Sequence, residues 1–392
     1  MNRYRHLSIA IPMLQEAENI SFLLEKLRKQ GYQDFDVYVC VNHPDDAAED
    51  IVRDNRRSVA LLMEAKVPFP IHIIEKVWHG KQRGVGWARK VLLDEITSRC
   101  GGDELIVSLD ADTGFGSHYF ENLLEVFNAH PRAVALAVPY SHHVVGEEEQ
   151  DRAMLRYELY MRHYLLHLML IRSPYAFTAM GSAMVFPAWS YVRAGGITPL
   201  QGGEDFYLMQ KFAKTGTILL HSQPVHPSAR KSSRVPFGTG PAISKGLAFI
   251  EERYPFFPTE AFQHIGTTYS LFPTLYEHDV ETPMSNFLRQ QLKTDDLWTP
   301  LRRNFKRQDL FVHACHERVD GLRILQYLHT FPSHPAAFYD LFPLLGLECP
   351  ASIDFAICPV NTLISLRKTL RTTEDSLRKS YKSLYGCDIY YD

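Results

Sequence analysis

The sequence predicts an α/β protein with a mainly parallel, twisted sheet, followed by a helical C-terminal extension. Up to residue 115, short continuous apolar runs alternate with amphipathic stretches. That alternation is typical of parallel strands that helices cover on both faces. Beyond residue 245 the alternation stops and helical periodicity dominates, punctuated by prolines. We therefore expect an α/β domain at 1–244 and a mainly helical region at 245–392.

Each predicted element rests on its own pattern. The run LSIAIPM is continuously apolar, as expected for a strand buried on both faces, and a helical stretch after it ends at Gly31, a natural C-cap. Apolar runs predict strands, and residues with 3.6-residue periodicity predict helices. The predicted strands are 7–13, 36–42, 69–76, 103–113, 132–143, 179–186 and 217–222. The predicted helices are 16–31, 49–65, 86–99, 151–171, 203–216, 320–331 and 360–386.

Composition argues against nucleic-acid-binding, disulfide-rich and membrane-spanning proteins. Net charge is −3, and 45% of residues are hydrophobic, which suits a globular protein and gives no basic footprint for nucleic acid. Six scattered cysteines without a C-x-x-C pair favour reduced thiols and a cytoplasmic location. Residues 156–172 are mainly apolar, but charged residues interrupt them. The segment therefore cannot span a bilayer, which needs about 20 apolar residues. That helix favours a core position, with peripheral membrane contact as the alternative.

Two acids follow the fourth predicted strand, in the segment SLDADTG. Asp110 and Asp112 lie on the same side of an extended backbone, because side chains alternate along a strand. Ligands of open parallel sheets bind outside the carboxyl ends of the strands. Paired carboxylates there suit a hard cation such as Mg²⁺ or Mn²⁺ that also binds phosphate oxygens. The alternative is a solvated strand end with one acid capping the next helix.

The order of several motifs resembles the family 2 glycosyltransferases of the GT-A fold. The similarity covers residues 7–240, and its combination of motifs is more specific than any one of them. The motifs are SIAIPMLQEAENI at 8–20, LDADT at 109–113, GSAMVFPAWSYVRAGG at 181–196 and GGEDFYLMQKFAKTG at 202–216. The resemblance implies a nucleotide-diphospho-sugar transferase fold. It extends to nothing in 245–392, which we expect to be related to the acceptor.

The resemblance also implies that the nucleotide of the donor binds at the carboxyl ends of the first two strands. Pro12 and Glu16 are placed to approach the nucleotide, with Gln15 where the family has Asn. Asn42 stands where family members commonly have an acid that binds the base, which leaves the base open. The alternatives are helix entry for the first segment, where an acid near a helix N-terminus is favourable, and turn residues for the second.

Further positions are implied for the diphosphate, the sugar and the metal. Lys81 and Arg83, in a Gly-rich entry to the third helix, are placed near the diphosphate, or form a solvated loop. Asp110 would contact ribose or sugar, and Gly181 would let the backbone approach the donor sugar. The metal would be held by Asp112 and His226, although a lone His is more often structural. A basic loop after His226 would meet the diphosphate through Arg230 and Arg234.

Two acids open the helix at 203–216. In the resembling enzymes one of these carboxylates, here Asp205, removes the proton of the acceptor hydroxyl, with Glu204 beside it. An acid at a helix N-terminus is also stabilised by the helix dipole, so a capping role and a catalytic role are compatible.

These residues predict a hexosyltransferase that uses a metal ion, Mn²⁺ or Mg²⁺, and a nucleoside diphosphate sugar, with a UDP-sugar favoured over a GDP-sugar. It would transfer one sugar, with inversion, to a saccharide or a lipid-linked hydroxyl acceptor. The Q-x-x-R-W signature of processive members is absent. The alternatives are a retaining GT-A transferase that makes a small glycoside, a nucleotidyltransferase, and a non-catalytic sugar-nucleotide-binding scaffold.

Overall fold

The computed structural model of the chain describes residues 3–231 and 238–381. Within these ranges, one sheet has seven strands in the order β3-β2-β1-β4-β7-β6-β8, and a smaller sheet pairs β5 with β9. The strands are β1 (Leu7–Met13), β2 (Phe35–Pro44), β3 (Ile71–Trp78), β4 (Leu105–Ser108), β5 (Gly114–Phe115), β6 (Ala135–Ala137), β7 (Met184–Pro187), β8 (Ile218–Leu219) and β9 (Val225–His226). The predicted mixed α/β fold is confirmed.

The large sheet is mostly parallel around β1. Strand β1 pairs in parallel with β2 and β4, and β2 pairs in parallel with β3. Strand β7 runs antiparallel to both of its neighbours, β4 and β6. Because β1 lies inside the sheet, Leu7, Ile9 and Ile11 are fully buried, as a continuous apolar run requires.

Helices follow the strands and then dominate the chain. The first seven are α1 (Ile20–Arg28), α2 (Glu49–Met63), α3 (Val85–Arg99), α4 (Tyr119–Ala129), α5 (Glu148–Leu170), α6 (Ala188–Arg193) and α7 (Glu204–Thr215). The next six are α8 (Thr239–Arg253), α9 (Thr259–Ser270), α10 (Phe272–Glu277), α11 (Ser285–Leu292), α12 (Thr299–Asn304) and α13 (Gln308–Arg318). The last are α14 (Gly321–Leu328), α15 (Leu341–Leu344) and α16 (Val360–Ser380). The predicted helical C-terminal region is confirmed.

The chain divides into two compact units. The first contains residues 1–154 and 179–245, and the second contains 155–178 and 246–392. The first unit holds both sheets. The second is helical, and nothing in it tests the expected relation to the acceptor. In the described part of the chain, no helix has the length and apolar character needed to cross a bilayer.

A buried ionic network stabilises the second unit. Arg162, 1% exposed, donates to Glu158 across 2.6 Å and also pairs with Glu374. Arg378 donates to the other oxygen of Glu374 across 2.7 Å. Although burial opposes ionisation, these two guanidinium groups hold the pKa of Glu374 below its usual value. Helix α16, the described part of the helix predicted at 360–386, is thereby tied to the second unit by paired charges as well as by its apolar face, and residues 382–386 lie outside the described ranges.

Several elements differ from the sequence prediction. The predicted strand at 132–143 shortens to β6, and the predicted helix at 16–31 begins only at Ile20, after a turn closed by the bond from Asn19 N to Glu16 O. Strands β5 and β9 and helices α4 and α6 were not predicted. Two-residue strands are too short to show a period, so nothing in the sequence distinguishes β5 and β9 from loops.

Candidate active site

The two acids at 204–205 open helix α7. The preceding Gly203 has φ +79° and ψ +9°, a left-handed conformation that favours glycine. This sharp entry places Glu204 and Asp205 in the first turn of the helix. Leu208, Met209 and Phe212 are unexposed and anchor the helix in the core. The predicted combination of a core-anchored helix and an acidic first turn is therefore present.

Helix α3 supplies the partner of these acids. Arg89 is 4% exposed, and its Nη2 donates to Oδ1 of Asp110 across 2.6 Å. Its Nη1 donates to Oε1 of Glu204. The side chain of Asp205 lies close enough to act electrostatically on the same guanidinium. One buried arginine thus joins Asp110, after β4, to the acids that open α7.

Burial sets the charge state of this cluster. Although burial opposes its charge, the carboxylates of Asp110 and Glu204 raise the pKa of Arg89, which stays protonated. Burial raises the pKa of Glu204, against the opposing effect of Arg89. Glu204 is only 2% exposed, whereas Asp205 is partly exposed. Of the two neighbouring acids, Asp205 is the one that a bound molecule can reach.

A glycine makes room for the arginine. A Cβ atom placed on Gly181 would overlap the guanidinium of Arg89. The carbonyl of Gly181 accepts a 2.6 Å hydrogen bond from Ser108 at the end of β4, which fixes the approach. The structure therefore gives Gly181 a packing reason to be small. Its predicted approach to a donor sugar stays a prediction.

A second guanidinium joins two further acids. Arg230 Nε donates to Oδ2 of Asp112 across 2.8 Å, and its Nη2 donates to Oε1 of Glu16. The other oxygen of Glu16 accepts from Asn19 across 2.6 Å. The side chains of Glu16 and Asp112 are only 8% and 15% exposed. The predicted nucleotide-binding and metal-binding acids are therefore neighbours, with the predicted diphosphate-binding Arg230 between them.

His226 approaches Asp112 through the small sheet. Strand β5 follows the acids directly, and Gly114 in β5 pairs with His226 in β9. Asp112 and His226 both line one cavity of about 400 Å³, together with Phe22, Lys26 and His143. The His226 ring stacks on His143, with centroids 4.5 Å apart, and its Nδ1 lies 3.0 Å from the carbonyl of Ser141.

These side chains fit one kind of metal site. In the ranges 3–231 and 238–381, no three His, Cys, Asp or Glu side chains are grouped to hold an ion. Asp112 and Glu16 already share one cation, the guanidinium of Arg230. Mg²⁺ and similar ions take one or two carboxylates from the protein and complete their shell with substrate phosphates and water. The pair of acids fits such an ion, and does not fit an ion held by three protein side chains.

Asn42, near the end of β2, has a structural role. Asn42 is 4% exposed, and its Nδ2 donates to the Met13 carbonyl across 2.8 Å. Its Oδ1 accepts from the indole nitrogen of Trp78 across 2.9 Å. The amide thereby connects the ends of β1, β2 and β3. Its predicted contact with the base stays a prediction, and so does that of Pro12, which lies inside β1 opposite Cys40.

The predicted diphosphate-binding loop is exposed. Arg83 forms a 3.4 Å ion pair with Asp46, and their side chains are 46% and 70% exposed. Lys81 is exposed as well. Gly86 is the glycine that the packing requires, because a Cβ atom there would collide with the Leu200 carbonyl. Arg234 lies outside the described residues. Any role of these cations in diphosphate binding stays a prediction.

Two features at this end of the sheet could not be read from the motifs. The first is Arg89, which faces inward to Asp110 and Glu204. The signal that could have found it is its position inside a buried helix face, where arginine needs paired acids. The second feature is Gln15, whose φ of +54° is left-handed and unusual for this residue type.

Comparison with known proteins identifies the domain. Among solved structures, the chain is similar to S. aureus TarS residues 1–349 in complex with UDP-GlcNAc, at 13% identity and a TM-score of 0.43, with 96% of this chain and 93% of that chain covered. It is also similar to the mannosyltransferase PcManGT from Pyrobaculum calidifontis in complex with GDP-Man and Mn²⁺, at 14% identity and a TM-score of 0.40, with 96% and 87% covered. No curated protein matches the sequence. Residues 8–185 match the family model Glycosyl transferase family 2. Residues 8–185 therefore form a family 2 glycosyltransferase domain, as the motifs predicted, and the protein is a glycosyltransferase.

Proposed function

We propose that the protein transfers a single sugar from a nucleoside diphosphate sugar to a hydroxyl acceptor, with inversion and with the help of a divalent metal ion. The observation that carries this proposal is the placement of Asp110, Glu204 and Asp205 around Arg89. A transferase must hold its bound donor at a fixed distance and orientation from the general base that deprotonates the acceptor. Arg89 would fix this geometry, because it binds both Asp110 and Glu204, the neighbour of Asp205.

Asp205 is the proposed general base. A base must lie within hydrogen-bond reach of the acceptor hydroxyl and must be ionised when it accepts the proton. Glu204 is buried and bonded to Arg89, so its task is to position the start of α7. Asp205 is partly exposed beside it, in the first turn of a helix whose dipole favours a carboxylate. One reachable carboxylate suits a single displacement, which inverts the anomeric centre.

Asp112, with Glu16 beside it, would hold the metal together with the donor diphosphate, and His226, which lines the same cavity as Asp112, stays a predicted ligand. A bound divalent ion would neutralise charge on the departing diphosphate. Arg230 would add bidentate donors next to it, and Asp110 would bind a hydroxyl of ribose or sugar. The cavity beside Asp112 has the usual size and mixed lining of a small-molecule site, which supports ligand binding at this end of the sheet.

A transfer assay tests the assignment of the two acids. The purified protein is incubated with Mn²⁺, with UDP- and GDP-sugars and with mixed saccharide and lipid-linked acceptors, and released nucleotide is measured. Asp205→Asn should lower turnover by about 10²–10⁴-fold while donor binding persists, as expected for loss of a general base. Glu204→Gln should alter the stability of α7 as well as turnover. If Asp205→Asn keeps full turnover, Asp205 is not the base. The anomeric configuration of the product, read by proton NMR, tests inversion.

A further inference from the structure

Arg230 sits between the two acids proposed for the donor and its metal. Its Nε bonds Asp112 Oδ2 across 2.8 Å, and its Nη2 bonds Glu16 Oε1. We call this three-residue contact the Arg230 bridge. Planar guanidinium groups present several donors in a fixed fork, so one arginine can satisfy two carboxylates at once.

In the free protein, the bridge offsets the repulsion between the carboxylates of Glu16 and Asp112. Glu16 and Asp112 are 8% and 15% exposed, so both acids are largely withdrawn from water. Neighbouring carboxylates repel each other when buried unless a cation lies between them. Arg230, with 34% of its side chain exposed, supplies that cation from the chain itself.

The segment that carries Arg230 is held in place by neighbouring contacts. The carbonyl of Ala229 accepts a 2.8 Å hydrogen bond from Gln150 in the first turn of α5. The Arg230 backbone N–H donates to Ser228 Oγ across 3.3 Å. The Arg230 side chain can therefore leave the acids by rotating about its own bonds, without release of the backbone on its N-terminal side.

A metal ion held by Glu16 and Asp112 would compete with the guanidinium of Arg230 for their oxygen atoms. An ion bound to Asp112 Oδ2 would stand where Arg230 Nε now donates, and two cations at that distance repel. A donor diphosphate resolves the conflict, because it brings new acceptors for a guanidinium and new ligands for the ion.

We propose that Arg230 is an exchangeable internal counterion, which occupies Glu16 and Asp112 in the free protein and moves onto the diphosphate when donor and metal bind together. The inference rests on the proposed function, because it uses the same acids. It makes the free protein a poor metal binder and couples metal binding to donor binding. Where the bridge is closed nine-tenths of the time, apparent metal affinity falls about tenfold.

Manganese binding to the protein without nucleotide tests the inference. The full chain is titrated with MnCl₂, and free Mn²⁺ is followed by its electron paramagnetic resonance signal. Arg230→Gln should bind Mn²⁺ about tenfold more tightly than the wild type, because it removes the competing cation. Lys231→Gln is the matched control: Lys231 is the next cation along the chain and lies 3.9 Å from Glu147, so it changes net charge equally without touching the bridge. It should bind Mn²⁺ as the wild type does.

Two further titrations complete the test. Adding UDP or GDP should narrow the difference between the wild type and Arg230→Gln, because the diphosphate draws Arg230 away from the acids. Asp112→Asn in the Arg230→Gln background should abolish the gain in Mn²⁺ affinity.

Equal Mn²⁺ affinity of the wild type and Arg230→Gln would overturn the inference, as would an equal gain in Lys231→Gln. Circular dichroism establishes that each variant is folded. Loss of the inference leaves sugar transfer to be judged separately, by release of nucleotide from the donor.

Discussion

Asp110 and Glu204 accept hydrogen bonds from the two terminal nitrogens of the same arginine, Arg89. The first acid follows a strand of the central sheet and the second opens a helix far along the chain. The guanidinium of Arg89 and the carboxylate of Glu204 are buried, so their ion pair is shielded from water and salt, whereas Asp110 is partly exposed. The strand-end acids and the helix that carries the proposed base are held in one geometry by this side chain.

Arg89→Gln should destabilise the protein and lower its turnover. The change leaves Glu204 buried without its cation, and breaking one partner of a buried ion pair costs about 3–5 kcal/mol. Urea unfolding measures the loss. Lys90→Gln is the matched control on the same helix, since Lys90 pairs with Asp94 at the exposed surface, and such pairs contribute about 0.2–1 kcal/mol. Equal losses in the two variants would contradict a structural role for the buried contact. Addition of Glu204→Gln to Arg89→Gln should recover part of the stability.

Gly181→Ala should act through Arg89. The added methyl group would overlap the guanidinium, so Arg89 must shift away from Asp110 and Glu204. Overpacking of this kind costs about 1–3 kcal/mol, and we expect turnover to fall with it. Gly101→Ala is a suitable control, because nothing lies within 4 Å of a Cβ atom there. A stable and fully active Gly181→Ala protein would show that Arg89 has more room than the structure indicates.

Stability of the second unit should fall in mild acid. Burial lowers the pKa of His167 to about 4 and that of His316 to about 3, and holds the pKa of His163 well below its usual value. Between pH 6.5 and about 4 the unfolded chain therefore binds protons that the native protein does not, and the free energy of unfolding falls as pH falls.

Urea unfolding at pH 7, 6 and 5 checks this dependence. Removing His167 by substitution with Gln should flatten the profile, by up to roughly 1.4 kcal/mol per pH unit for one group. An unchanged slope in His167→Gln would mean that this imidazole does not resist protonation in the native protein.

Gln15→Asn should stabilise the protein slightly. Gln15 has φ +54°, and Asn adopts this left-handed region more readily than Gln does. The backbone N–H of residue 15 keeps its 3.0 Å bond to Asn55 in either case. We expect a gain of up to about 1 kcal/mol in the free energy of unfolding. Gln82→Asn, in an exposed turn, should change it by less than about 0.5 kcal/mol.

The elements that could be predicted from the sequence are those with a clear apolar pattern within one continuous segment. Strand β1 is apolar throughout because both of its faces are covered, and helix α7 has its polar start and apolar stripe in one continuous segment. Strands β5 and β9 could not be predicted, since each has two residues and exists only through the other. They bring His226 to Asp112, so that neighbourhood was predicted from a resemblance and not from a pattern.

Within the site, the identity of the acids was easier to predict than their partners. Asp110, Asp112, Glu204 and Asp205 stand in recognisable motifs. Which cation meets which acid depends on the long-range packing that brings Arg89 of α3 to Asp110 after β4 and to Glu204 at the start of α7. A single sequence shows an arginine in a helix and does not show whether it faces solvent or the carboxylates of Asp110 and Glu204.

Calorimetric titration with nucleotide sugars tests the central claim most directly. Wild type, Asp112→Ala and Asp205→Asn are each titrated with UDP-glucose, UDP-galactose, UDP-N-acetylglucosamine and GDP-mannose, with Mn²⁺ and with EDTA. We predict that one donor binds in the presence of Mn²⁺, that Asp112→Ala loses this binding, and that Asp205→Asn retains it. Failure of every donor to bind the folded wild-type protein with or without Mn²⁺ would contradict the account. Equal binding by Asp112→Ala would contradict the assigned metal site.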